Sequence, residues 1–389
     1  MTGRERILAA FCGEKADFVP FSPNIYQWFY HHRTSGALPA EIADAQHPFD
    51  VLRHLGADIL ARWDTQPATQ EVYTRGEFLE EYGGQRASEQ PLVTAFNRYP
   101  AHRCELRQKF VTPYGMLTQT WRLSPKACAD FIEEFWWKTW DDYPAVRFML
   151  EMREYAFDDT EFHRWVERVG EDGVMMANIT QSPLKTFHWL SGPENASLFI
   201  IDHPEEMKAL ARIHEEKALA LLRFMVDIPE IEIFIALDDL DAAFYSPSFY
   251  AEYCGRFFSR AAEIIHCKGK TLVVHACGRN RVLLPLVGRS GVDCLEGITP
   301  PPLGDVELVE VRKLAGQESY TVNGGMDATH QEITDNAEPR LHDYTHRLFD
   351  SMGDRRHFIF ASSCNTSPLT PWRNLVYFRD AAREYGRID

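Results

Sequence analysis

The sequence predicts an α/β protein folded as an eight-stranded (β/α)8 barrel. Three observations predict it. Short apolar runs alternate with helical stretches along most of the 389 residues, the pattern of parallel strands joined by crossover helices. The runs number about eight, and the length exceeds the roughly 250 residues typical of such a barrel, leaving room for an insertion. Polar, ligating or titratable residues recur where the runs end, and a barrel keeps its active site at the C-terminal ends of its strands. A doubly wound open sheet is the alternative. No glycine-rich phosphate loop follows any run, which argues against a nucleotide site.

In chain order, Thr2–Cys12 reads as a helix with Thr2 as N-cap. Phe18–Asn24 (FVPFSPN) is the first strand and Ala57–Arg62 (ADILAR) the second, with a helical stretch over Glu41–Leu55 between them. Residues 65–170 interrupt the rhythm as an insertion within one barrel domain spanning 1–389. Its first part carries Gly83-Gly84 and TPYGMLTQTWRL and reads as antiparallel hairpins. Its second part, from Lys126 to Gly170, reads as mostly helical. The alternation then resumes with strands at Val174–Ile179, Ile231–Asp239, Lys270–Gly278, Cys294–Thr299, Tyr320–Asn323 and Phe358–Ser362.

Composition narrows the function. Lys+Arg 41 against Asp+Glu 57 gives a formal net charge of −16, which disfavours nucleic acid and anionic membranes as partners. There is no apolar run of membrane-spanning length, and the start, MTGRERIL, is charged rather than signal-like. The 8 Cys are scattered, as suits free thiols in a reducing cytoplasm. The sequence leaves the oligomeric state open and is compatible with a homodimer.

The candidate site gathers around KTLVVHACG, Lys270–Gly278. Side chains alternate along a strand, so His275 and Cys277 share a face where the strand ends. Cys364 lies just past the last strand, in FASSCNTSPLTPW. Imidazole and thiolate are ligands for zinc, and His275, Cys277 and Cys364 are the expected metal ligands. Glu296 and Asp239 are candidates for a fourth, exchangeable ligand or a proton carrier. Asn24, Tyr26, Asn178, Asp238 and Asn323 end strands or follow them, and are candidates for substrate binding. Cys294 reads as structural, as do Cys12, Cys104, Cys128, Cys254 and Cys267, which have no partner at ligand spacing.

The chain resembles the uroporphyrinogen decarboxylase superfamily, in particular its zinc-dependent methyltransferase branch. GRERILAAFCGEKADFVPF is similar to the family's opening helix and strand, DDLDAAFYSPSFYAEYC to its acid-ending strand and Ser-Pro-led helix, and NGGMD to its glycine-rich turn. HACG with the distant SSCNTSPLTPWRNL resembles the His-x-Cys and remote Cys of enzymes that move a methyl group between a corrinoid and a thiol. The resemblance implies a TIM barrel, zinc, a small-molecule substrate, and methylcobalamin or another corrinoid carried by a partner protein. It admits a corrinoid-linked O-demethylase acting on a methoxylated substrate as one alternative and a metal-free decarboxylase as another. True decarboxylases carry an arginine-rich R-Q-A-G-R stretch after the first strand. Here that place reads NIYQWFYHHR, with Arg33 the only arginine.

Overall fold

Eight short strands lie side by side, all parallel, in the ring order β1-β15-β14-β13-β12-β11-β10-β2. This is the α/β barrel, and it excludes the open doubly wound sheet. The structure is a computed structural model and describes residues 1–62, 68–82, 85–86, 105–124 and 129–388. The strands in chain order are β1 (Phe21–Ser22), β2 (Ile59–Ala61), β3 (Thr69–Tyr73), β4 (Glu77–Tyr82), β5 (Gln85–Arg86), β6 (Glu105–Thr112), β7 (Gly115–Ser124), β8 (Ala129–Glu134), β9 (Arg153–Phe157), β10 (Gly173–Asn178), β11 (Ile233–Ala236), β12 (Thr271–His275), β13 (Cys294–Ile298), β14 (Thr321–Met326) and β15 (Phe358–Ser362).

The seam between β1 and β2 is bridged by one backbone hydrogen bond and by the side chains of Asp58 and Ser22. The Asp58 amide donates to the Phe21 carbonyl at 2.8 Å, and the Phe21 amide donates to the Asp58 carboxylate at 3.1 Å. The helix Gly3–Cys12 covers the N-terminal end of the ring. Thr2 caps it in a reciprocal capping box with Glu5. Its Ile7 packs with Val174, Met176, Ile233, Ile235, Val273 and Cys294 inside the barrel. The interior then changes character along each strand. Two residues on from Val273 comes His275, and two on from Cys294 comes Glu296, so the period-two alternation places an ionic layer above an apolar one.

Between β2 and β10 the chain builds a five-stranded antiparallel sheet, β5-β4-β6-β7-β8, and a two-stranded one, β3-β9. The mostly helical expectation for 126–170 is corrected here. Helices Tyr143–Met152 and Asp159–Val169 are present, but β8 and β9 are strands. β9 pairs with β3, about eighty residues earlier in the chain, so its conformation depends on a partner that local periodicity does not reveal. Trp136 and Trp137 are buried in the main core, as packing residues. Gly83-Gly84, Cys104 and Cys128 lie outside the described residues. Among the described residues no helix is long and apolar enough to cross a membrane.

Candidate metal centre

His275 ends β12, and Cys277 follows two residues later. Cys364 stands in the same relation to Ser362, the end of β15. Parallel strands bring these ends to one rim. A ring nitrogen of His275 and the sulfurs of Cys277 and Cys364 lie within 4.8 Å of one another. His275 Nε2 is 3.7 Å from Cys364 Sγ.

The other ring nitrogen is occupied. Nδ1 and the Arg62 guanidinium both contact Glu296 Oε2, and Arg62 Nη1 is 2.8 Å from Nδ1. The carboxylate is the acceptor, so Nδ1–H donates to it and Nε2 faces the sulfurs. Gly297 makes room for the ring: its φ is +91°, and a Cβ there would come within 2.9 Å of His275 Cε1. Strand alternation from the interior Cys294 turns Glu296 inward, and the pairing of β13 with β14 becomes irregular just beyond it, between Glu296 and Ile298.

The charges interlock. Cys364 is held well below the ordinary thiol range by the Cys277 thiol and His275, against burial. Cys277 is raised in turn, by the same contact and by burial. Burial and Arg62 oppose protonation of His275, but Glu296 and Cys364 outweigh them and lift it to about 10. Glu296 is lowered: burial opposes this, but Arg62 and His275 prevail. The site thus stores protons where a cation would replace them.

The donor set fits zinc. In a tetrahedral site with Zn–S near 2.3 Å and Zn–N near 2.0–2.1 Å, a nitrogen and a sulfur lie about 3.6 Å apart. The Nε2–Sγ separation of 3.7 Å matches that spacing.

Asp239 stands on the Nε2 side, with Oδ1 3.5 Å from it and Oδ2 2.5 Å from Lys185 Nζ. Its φ of 49° is left-handed, a sparsely populated conformation often found at functional sites. Burial works to raise it, yet His275 and Lys185 lower it. Asp238 points elsewhere: its Oδ1 accepts the Ser182 amide at 2.8 Å, and burial raises it to about 6.

The expected pocket residues divide. Tyr26, Asn24 and Asn323 line a cavity with Arg62 and Glu296. The Asn24 amide is turned to the Cys364 loop, donating to the Cys364 carbonyl at 2.9 Å and to Asn365 Oδ1 at 2.8 Å. The Asn178 amide, oriented so that it is satisfied, donates to the Ile235 carbonyl at 3.1 Å and ties β10 to β11. Asn323 is buried, and its Oδ1 has no partner among the described residues. Cys294 and Cys254 are buried, Cys12 and Cys267 exposed, and none of them joins the cluster.

Sequence reasoning missed Arg62 and Lys185. Arg62 carried one signal, a charge at the end of the apolar run ADILAR. Lys185, in the first turn of the helix Pro183–Asp202, carried none.

Comparison with known proteins agrees with the barrel fold. A methyltransferase from Methanosarcina mazei superposes with a TM-score of 0.61 at 13% identity, over 99% of each chain. At that identity the likeness is one of fold. An intracellular xylanase from Thermoanaerobacterium saccharolyticum matches 56% of this chain and 74% of its own at 10% identity, with a TM-score of 0.32, and carries no argument. No curated protein sequence gives a significant match. The model described as Uroporphyrinogen decarboxylase (URO-D) matches residues 162–385, the stretch that supplies six barrel strands, both sulfurs and the imidazole: the chain belongs to the uroporphyrinogen decarboxylase family.

Proposed function

We propose that this protein is a zinc-dependent methyltransferase that moves a methyl group between a corrinoid and a thiol or another acceptor. The observation that carries the reading is the convergence of a His275 ring nitrogen, Cys277 Sγ and Cys364 Sγ within 4.8 Å. Three protein ligands leave one position for substrate, as catalytic zinc sites do. When bound there, zinc supplies a Lewis acid that keeps a substrate sulfur as thiolate at neutral pH.

The chain's own residues supply the rest. Asp239, ionised beside Lys185, accepts the proton the substrate thiol gives up. Asn323 and Tyr26 orient the substrate against the rim. Phe244, Val282, Leu303 and Leu369 stand exposed in the loops after β11, β12, β13 and β15, an apolar rim suited to a partner that carries the corrinoid. The Methanosarcina methyltransferase shares the fold end to end, so methyl transfer is a chemistry that this fold accommodates.

Decarboxylation of a tetrapyrrole carrying many carboxylates is disfavoured. Such a substrate needs cations after β1, and Arg33 there is committed to the Ala45 carbonyl and to Gln46.

The test is metal analysis followed by transfer. The purified protein should hold one zinc, lose it in Cys364→Ala, and move the methyl of free methylcobalamin to a thiol. A chain without zinc, or full activity in Cys364→Ala, sinks the reading. Transfer only from a methoxylated donor to cob(I)alamin would assign the demethylase direction.

A further inference from the structure

Arg62 comes from the end of β2, at one end of the ring order, and β12 and β13 lie at its middle. Its side chain therefore crosses the barrel interior to reach Glu296 and His275. The three side chains are 3%, 8% and 3% exposed. An imidazole in such a place has two orientations and two tautomers, and only one combination presents the Nε2 lone pair to the sulfurs. A buried carboxylate accepting Nδ1–H selects that combination, and a carboxylate this deeply buried persists only when paired.

We propose that Arg62 is a positioning residue for His275, acting through Glu296, and that this buried relay sets how tightly the centre holds its ion. The proposal rests on reading His275, Cys277 and Cys364 as metal ligands. Two features of the backbone support it independently. Regular pairing of β13 holds from Cys294 up to Glu296, so the same alternation that buries Cys294 fixes the carboxylate on the interior face. Gly297, with no Cβ, lets the ring lie against the chain at the height of the carboxylate.

The test is a double-mutant cycle read as zinc affinity, by competition with a chromophoric chelator. Arg62→Met and Glu296→Gln should each weaken zinc binding 10–100-fold, as loss of such outer partners does. If Arg62 acts through Glu296, the double variant should bind little more weakly than the worse single one. Arg62→Lys should recover part of the loss. The cobalt(II) spectrum should shift in the Arg62 variants, a change that a merely structural residue would not produce. Should Arg62→Met fail to fold, Arg62→Gln takes its place in the cycle. Wild-type zinc affinity in Arg62→Met, or losses that multiply in the double variant, overturns this inference alone. A wild-type chain that takes up no zinc overturns the functional reading and this inference with it.

Discussion

At Gly297 the left-handed backbone and the narrow space act together. An alanine there would bring its Cβ within 3.0 Å of the Ser363 carbonyl as well as 2.9 Å of the His275 ring. The backbone strain alone costs about 1–3 kcal/mol, and relief requires moving the ligand ring or the strand end that leads to Cys364. Gly297→Ala should therefore weaken zinc binding at least about tenfold while the barrel still folds; unchanged affinity in chelator competition would show that the ring is not packed there. Asp239 allows the complementary experiment. Asn tolerates positive φ, so Asp239→Asn keeps the backbone and removes the charge beside Lys185 and His275. Loss of a positioned proton acceptor costs about 10²–10⁴-fold in rate. The expected result is a fall in kcat of at least about 100-fold with zinc content intact. Loss of the metal instead would make Asp239 a ligand.

The element that carries Cys364 is the loop from Ser363 to Pro371, and backbone and side-chain groups from distant parts of the chain hold it. The Thr366 amide donates to the Asn24 carbonyl at 2.7 Å, Trp28 Nε1 to the Thr370 carbonyl at 2.8 Å, and the Ser367 amide to Gln331 Oε1 at 3.0 Å. Gln331 is 1% exposed and its own amide donates to the Met326 carbonyl. Removing it leaves buried backbone groups unpaired, at about 1–3 kcal/mol. Gln331→Ala should speed amide exchange in 363–370 and weaken zinc binding, with Tm only modestly lowered; exchange unchanged in that segment would refute the anchoring role. These anchors also show why parts of the site were legible in sequence and others were not. His275, Cys277 and Cys364 sit directly after apolar runs, and burial leaves a periodic trace along a strand. Gln331 and Lys185 act through hydrogen bonds and ion pairs to partners elsewhere in the chain, which leave no local trace, and Arg62 left only a charge at the end of its apolar run. For the same reason β9, whose partner β3 lies about eighty residues earlier in the chain, reads as helical surroundings.

In the whole molecule, the insertion and the barrel are joined at His214. It lies on the helix Pro204–Met225, 2% exposed. Its Nε2 faces the Gln181 carbonyl at 2.8 Å, and its Nδ1 faces the Tyr155 hydroxyl on β9 at 3.3 Å. A carbonyl only accepts, so Nε2 carries the proton and Nδ1 receives one from tyrosine: the ring is neutral. Burial holds it so, pushing the pKa down from 6.5 to about 4, with Arg153 adding repulsion and the Gln181 carbonyl opposing the shift. The unfolded chain takes up this proton near pH 6.5, the folded chain only near 4, so the unfolded state binds more protons between them and stability falls as pH drops through that window. From pH 7 to pH 5 the loss from this residue is about 2 kcal/mol. Asp58 and Asp238, each raised to about 6 by burial, act in the opposite sense over part of the same range, so the total pH profile mixes signs. The comparison that isolates His214 is between wild type and His214→Gln, which keeps a donor for the Gln181 carbonyl and does not titrate. Urea unfolding at pH 7 and pH 5 should show the variant losing about 2 kcal/mol less than wild type over that interval. Equal losses in the two proteins would mean that the imidazole at this joint takes up its proton without cost to the fold.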